Sequence, residues 1–95
     1  MNAYAVKFMP QAIDELRGIL EYIAADNPQR AVTFVDELEQ KTKSFLSSAP
    51  KGGSLYKGQT RYFPIGNYVV LYEIDEKNTQ VNVLHIVSAR TDWKK

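Results

Sequence analysis

The stretch TRYFPIGNYVVLYEID, residues 60–75, decides how the rest of the chain is read. Gly66-Asn67 suits a tight hairpin turn, and it parts an aromatic run from Tyr-Val-Val-Leu-Tyr, residues that favour a pleated, half-buried surface. Two strands are expected, at about residues 57–63 and 68–74, with Pro64 at the end of the first because proline cannot donate a ladder hydrogen bond. DEKN at 75–78 supplies a second turn, and VNVLHIV at 81–87 reads as a third strand. The result is a three-stranded antiparallel meander. The same stretch raises a chemical question, since it carries the planar, permanently charged fork of Arg61 beside Tyr62 and Phe63.

Upstream, SSAPKGGSLY at 47–56 breaks any helical pattern with Pro50, Gly52 and Gly53 and is long enough to cross from helices to a sheet. Before it, Asn27 and Pro28 are a helix N-cap followed by a proline suited to the first helical turn. One helix therefore stops near Ala25 and another starts, carrying Ala31, Phe34 or Val35, Leu38, Phe45 and Leu46 at helical spacing to about Ser47. Asp36, Glu37, Glu39, Lys41 and Lys43 form its solvated face. The first helix begins at Pro10 and bears the stripe Ile13, Leu16, Leu20 and Ile23. AYAVKF, with Tyr4, Val6 and Phe8 alternating against Ala3, Ala5 and Lys7, reads as an N-terminal strand over 3–8. The order is strand, helical hairpin, meander: an α+β fold with the helices packed on one sheet face, because their apolar stripes need a partner.

The totals agree with one domain spanning residues 1–95: the chain has 95 residues, 44 % of them hydrophobic, and no cysteine. Thiol catalysis and disulfides are excluded, and a lone histidine argues against a zinc site, so no metal or cofactor is expected. No segment reads as a secretion signal or approaches a membrane span, which predicts a cytoplasmic protein with no membrane partner. The net charge of +1 argues against coating nucleic acid through bulk electrostatics. The charge is uneven, however: the N-terminal half is net acidic and the half from Lys51 onward net basic, which makes the latter the candidate anion-facing surface.

Several side chains are candidates for chemistry. Arg61 suits phosphate or carboxylate; the competing reading is an arginine that pairs on the sheet or lays its stem over rings. Arg90, in SARTDW after the last strand, is followed by Asp92, Trp93, Lys94 and Lys95, and it meets Arg61 only if their strand ends are neighbours. His85 shares its expected strand face with Val81, Val83 and Val87, which favours a hydrogen-bonded sheet histidine over a proton carrier. Tyr56, Tyr62, Tyr68 and Tyr72 lie in or beside the meander and suit either a core or an interface.

With these residues in view, the chain resembles the RelE/ParE superfamily of toxins from type II toxin-antitoxin systems, more specifically the ParE branch, also described as plasmid-stabilisation proteins. The likeness rests on YAVKFMPQAIDELRGILEYIAADNPQRAVTFVDEL, on TRYFPIGNYVVLYEID, which looks like the family's Arg-x-Phe-Pro-x-Gly-x-Tyr hairpin, and on VNVLHIVSARTDW. It implies a RelE-like fold whose N-terminal strand joins the sheet edge, growth inhibition, and a cognate antitoxin whose flexible segment wraps the toxin. It further implies one of two targets. ParE-like members stall DNA gyrase on cleaved DNA; RelE-like members cut messenger RNA on the ribosome. The expectation here is gyrase inhibition by a protein that is not itself an enzyme and does not bind DNA sequence-specifically alone, with Arg61, Arg90, Trp93, Lys94 and Lys95 as target contacts. The alternative is a ribosome-dependent endoribonuclease using Arg61, His85 and Arg90, with Arg61 as phosphate clamp and His85 or a sheet tyrosine as proton carrier. The chain departs from the branch in two places: Ser88, Ala89 and Arg90 stand where His-Gly-Ala-Arg is common, and Met9 replaces a polar cap.

Overall fold

The computed structural model describes residues 3–94. Strand β1 (Ala5–Phe8) is followed by helices α1 (Pro10–Ala24) and α2 (Pro28–Ser48), a single 3-10 turn (Pro50–Gly52), and strands β2 (Ser54–Lys57), β3 (Thr60–Ile65), β4 (Tyr68–Asp75) and β5 (Gln80–Ser88). The five strands form one sheet in the order β1-β5-β4-β3-β2. The α+β reading and the helical hairpin hold. The strand count does not, because the single strand expected at 57–63 is two: β2 and β3, joined by Gly58-Gln59, with Gly58 at φ +53° where a side chain would be strained.

The helix boundaries follow from local chemistry. Pro28 occupies the first position of α2, and the Asn27 side chain accepts a hydrogen bond from the Arg30 N–H at 3.0 Å. The α1 cap at Met9 has extended backbone but no side-chain bond, as its side chain predicts. The stripe of α1 is turned by about one residue from the expected one: Ala12, Leu16 and Ile19 are buried, whereas Ile13 is 45 % exposed. Both stripes share Leu16, and the tertiary contact selects between them. In α2, Ala31, Leu38, Thr42 and Leu46 are buried, and the Thr42 hydroxyl is satisfied by the Leu38 carbonyl at 2.8 Å.

Cross-strand register separates the two faces of the sheet. Phe63 pairs with Val70, and Val70, Tyr72, Val81, Val83 and Ile86 join Leu16, Leu38 and Leu46 in the core beneath the helices. Val69 and Leu71 alternate to the other face and are also buried, at 4 % and 6 % exposure. Pro64 lies inside β3, opposite Val69, rather than at its end; it is exposed.

The β4–β5 ladder changes register between Leu71 and Tyr72, which pair with His85 and Val83 and leave Leu84 as the extra residue of a bulge. The bulge reverses the alternation of β5. Val81 and Val83 face the core, but Ile86, not His85, is the next residue to do so. The expected shared face of His85 with Val81 and Val83 is thereby corrected; His85 is exposed.

β1 pairs parallel with the inner half of β5, Val6 opposite Val81 and Phe8 opposite Val83, so the N-terminal strand is a sheet edge. Beyond Met9, whose N–H bonds Val83 O at 2.9 Å, α1 takes over along the remainder of β5. There Glu15 accepts the Ile86 N–H at 2.8 Å, supplying an otherwise open strand edge with a side-chain acceptor.

Candidate functional site

Arg61 is in register with the fully buried Tyr72, and therefore belongs to the helix-side face. Its Nη1 donates to Gly53 O at 2.8 Å and to Lys51 O at 3.3 Å. The Tyr72 hydroxyl completes this arrangement: it accepts from Gly53 N–H at 3.1 Å and donates to Pro50 O at 2.5 Å. Together the two side chains pin the turn that leads into β2. Burial pushes the Tyr72 phenol above its ordinary pKa, opposed by the Gly53 N–H and the Arg61 charge. Gly53 is required here by space, since a Cβ would overlap the Tyr72 hydroxyl and come within 2.8 Å of Tyr62 O. On the outer side of the turn, Lys51 pairs with Glu76 at 3.1 Å, and Tyr4 donates to Glu76 at 2.7 Å. The Tyr4 hydroxyl, then Lys51, hold the Glu76 carboxyl below the usual range.

His85 Nδ1 lies 3.1 Å from the Glu15 carboxylate that also accepts the Ile86 N–H. This places it at the α1 edge of the sheet. By register, His85 is opposite Leu71 and Arg61 opposite Tyr72, so the two occupy different faces with β4 between them.

The chain after β5 turns sharply. Ala89 N–H extends the ladder to Asn67 O at 2.8 Å, and Ser88 O accepts from both the Thr91 hydroxyl (2.7 Å) and the Thr91 N–H (3.1 Å). This turn sends the tail back over the face opposite the helices, where Trp93 meets Tyr62 and Tyr56 with ring centroids 5.0 and 5.6 Å apart. Tyr56 donates to Trp93 O at 3.2 Å. Lys94 Nζ stands 5.3 Å above the Tyr62 ring, and Lys57 Nζ stands 5.4 Å above that of Tyr56. Lys95 lies outside the described residues.

Arg90 is exposed at the opposite rim of the tail turn. It borders a groove of about 910 Å³ lined by Ile19, Tyr22, Ile23, Phe34 and Tyr68, with Glu15 on its wall. Of the anticipated contact residues, Trp93 and Lys94 are brought together, Arg90 stands apart at the groove, and Arg61 is on the other face. Sequence reasoning passed over Tyr22, which is 80 % exposed at the groove. Its position off the apolar stripe of α1 was the available signal. Among the described residues no group of three or more His, Asp or Glu side chains is placed to hold a metal, and no described helix is long and apolar enough to cross a membrane.

The sequence pattern of the ParE toxin of type II toxin-antitoxin systems, parDE, matches residues 6–93. The chain belongs to the ParE toxin family. It is thus a toxin of the ParE/RelE superfamily, and solved structures agree on the fold. A chain of the chromosomal ParDE system from P. aeruginosa superposes with TM-score 0.78 at 14 % identity, covering 90 % of this chain and 96 % of that one. A chain of a RelBE toxin-antitoxin complex from Mycobacterium tuberculosis gives 0.73 at 24 % identity, with 93 % of each chain covered. The isolated E. coli RelE toxin gives 0.65 at 19 %, covering 96 % of this chain and 89 % of that one. No curated protein sequence matches this ParE-family chain. These likenesses establish a shared RelE/ParE architecture, with the N-terminal strand on the sheet edge as the resemblance implied.

Proposed function

We propose that this ParE-family toxin acts by binding DNA gyrase and holding it in its cleaved-DNA state, as a binding protein and not an enzyme, and that a cognate antitoxin neutralises it. Two observations favour this over messenger RNA cleavage, whose proton carrier would be His85 or a sheet tyrosine beside the Arg61 clamp: His85 belongs to the face opposite Arg61, and Tyr72, in register with Arg61, is fully buried with its hydroxyl held by Gly53 N–H and Pro50 O. Nη1 of Arg61 is moreover engaged by two backbone carbonyls. A nuclease needs its charge stabiliser and its proton carrier on one scissile phosphate.

The antitoxin reading is supported by the ParDE and RelBE complexes among the structural relatives. The groove beside Arg90, with the exposed Tyr22 ring, the half-buried Phe34 and Tyr68 rings and one charge of each sign at its wall, suits an amphipathic segment of such a partner.

The test is a purified-gyrase assay that scores supercoiling and trapped DNA breaks against toxin concentration, with and without ATP. Dose-dependent breaks are expected. Folded, growth-inhibiting protein that leaves gyrase unaffected, together with codon-linked cleavage seen by primer extension, establishes the ribosomal alternative. Within the gyrase reading, Arg90→Ala and Trp93→Ala are expected to lower toxicity while the protein remains folded; full toxicity of both removes the tail from the contact surface.

A further inference from the structure

Among the described residues Thr79 alone takes a positive φ without being glycine, at +49°. A β-branched side chain is strained in this left-handed region, which glycine enters without steric cost. The β4–β5 turn holds it there: Asn78 N–H and Nδ2 donate to the Asp75 carboxylate at 3.3 and 2.8 Å, and Thr79 N–H donates to Glu76 O at 3.2 Å. Held so, Thr79 presents its carbonyl to Ala5 N–H at 3.0 Å, at the start of the β1–β5 pairing. The strain is thereby tied to the docking of β1.

β1 itself is lightly fastened. Ala5 and Lys7 are exposed and Val6 and Phe8 half-buried, so the strand places no side chain fully inside the core. A single residue, Met9, joins it to α1, and that cap makes no side-chain bond. Its remaining ties gather at Tyr4, whose N–H donates to Ser47 O at 2.9 Å and whose hydroxyl donates to Glu76, in the same turn as Thr79. We propose that β1 is a releasable strand, docked on β5 against the strain of Thr79 and free to leave as a unit when that turn relaxes, with the rest of the sheet intact. Docked, it covers the edge of β5 from Gln80 to Val83. Released, it leaves a bare strand edge, the kind of surface on which another extended chain pairs, so β1 acts as a shutter over that edge. The device belongs to the free toxin and stands whichever target the toxin has.

The backbone supplies the reporters. Met9 N–H bonds Val83 O, and the N–H and C=O of one strand residue lie on the same edge, so the amides of Val83 and, two residues earlier, Val81 point toward β1. Val70, opposite Phe63 and Ile86, lies in the middle of the sheet and reports on the whole fold. Native-state hydrogen exchange of the full chain is followed in rising urea. Val81 and Val83 are expected to share one opening, about tenfold or more as frequent as that of Val70, with a clearly smaller urea slope because only β1 is exposed. Thr79→Gly relieves the docked strain and is expected to slow exchange at Val81 and Val83 about fivefold. Tyr4→Phe removes the tie to Glu76 and is expected to quicken it about threefold. Val70 is expected to follow by the same factors, since global unfolding also frees β1. Exchange of Val81 and Val83 at the rate and slope of Val70 overturns the proposal, because β1 then leaves only with the whole fold. Thr79→Gly that slows Val70 but neither valine of β5 also overturns it, because β1 then leaves without relaxing the turn. Thr79→Gly that slows none of the three does so too, because the turn then stores no strain.

Discussion

Replacing Tyr72 with Phe removes one oxygen atom from a fully buried side chain and leaves the ring in place. Two hydrogen bonds go with it, that from Gly53 N–H and that to Pro50 O. A net hydrogen bond contributes about 1 kcal/mol, and a buried group left without a partner costs about 1–3 kcal/mol. Pro50 and Gly53 are buried, but Lys51 and Gly52 between them are exposed, so water can reach part of the turn. The expected loss is therefore about 2–3 kcal/mol, or roughly 10–20 °C in Tm for a domain of this size. Urea unfolding is expected to show a lower midpoint with an unchanged slope. The raised Tyr72 pKa adds a signature in pH. Its contribution is complete below the unfolded phenol value of about 10 and is lost as pH rises through the higher folded value, so the gap between wild type and variant narrows from about pH 10 upward. A loss below about 0.5 kcal/mol, or a gap that stays constant through that range, refutes the assignment of Tyr72 as the fastener of this turn.

Asn27→Ala removes the side-chain acceptor of Arg30 N–H and is expected to cost about 1 kcal/mol in chemical denaturation, with the loss largely restored by Asn27→Asp. Glu15→Ala opens the β5 edge at Ile86; hydrogen exchange of the Ile86 amide is expected to quicken more than that of Val81, which lies under the β1 pairing. Glu76 has a lowered folded pKa, so its stabilisation is present above the ordinary carboxylate range and disappears as pH falls through the lowered value. Acid unfolding of Glu76→Gln is accordingly expected to be flatter than that of wild type below about pH 4.5.

The helical hairpin was legible because its signals are local: Asn27 and Pro28 act on the backbone within one turn, and their effect does not depend on what packs nearby. The same holds for Gly66-Asn67, and Gly66 takes up φ +57°. What escaped reading was set by contacts distant in sequence. Gly58-Gln59 lies in a run without alternation, so the break between β2 and β3 has no periodic mark. The bulge at Leu84 inserts a residue into VNVLHIV without any glycine or proline to announce it, and so His85 was assigned to the wrong face. Ile13 and Ala12 compete for the same stripe, and only the packing against the sheet chooses the smaller one. For the candidate contacts, Arg61 and Arg90 were both read as possible target contacts; Nη1 of Arg61 is engaged by carbonyls of a turn eight to ten residues upstream, which no spacing rule foretells.

The pairing of β1 with β5 joins the first and last strands of the sheet, and it bears on how the fold forms. Closing the long loop from Ala5 to Gln80 is entropically unfavourable and slow, and it must precede the contacts that reward it. β5 is the strand that touches β1, β4 and α1, so without it the β2–β3–β4 meander has no link to β1 and lacks the core residues Val81, Val83 and Ile86. β5 is thus the strand on which the sheet closes: the groove wall, the β1 edge and the tail turn all depend on it.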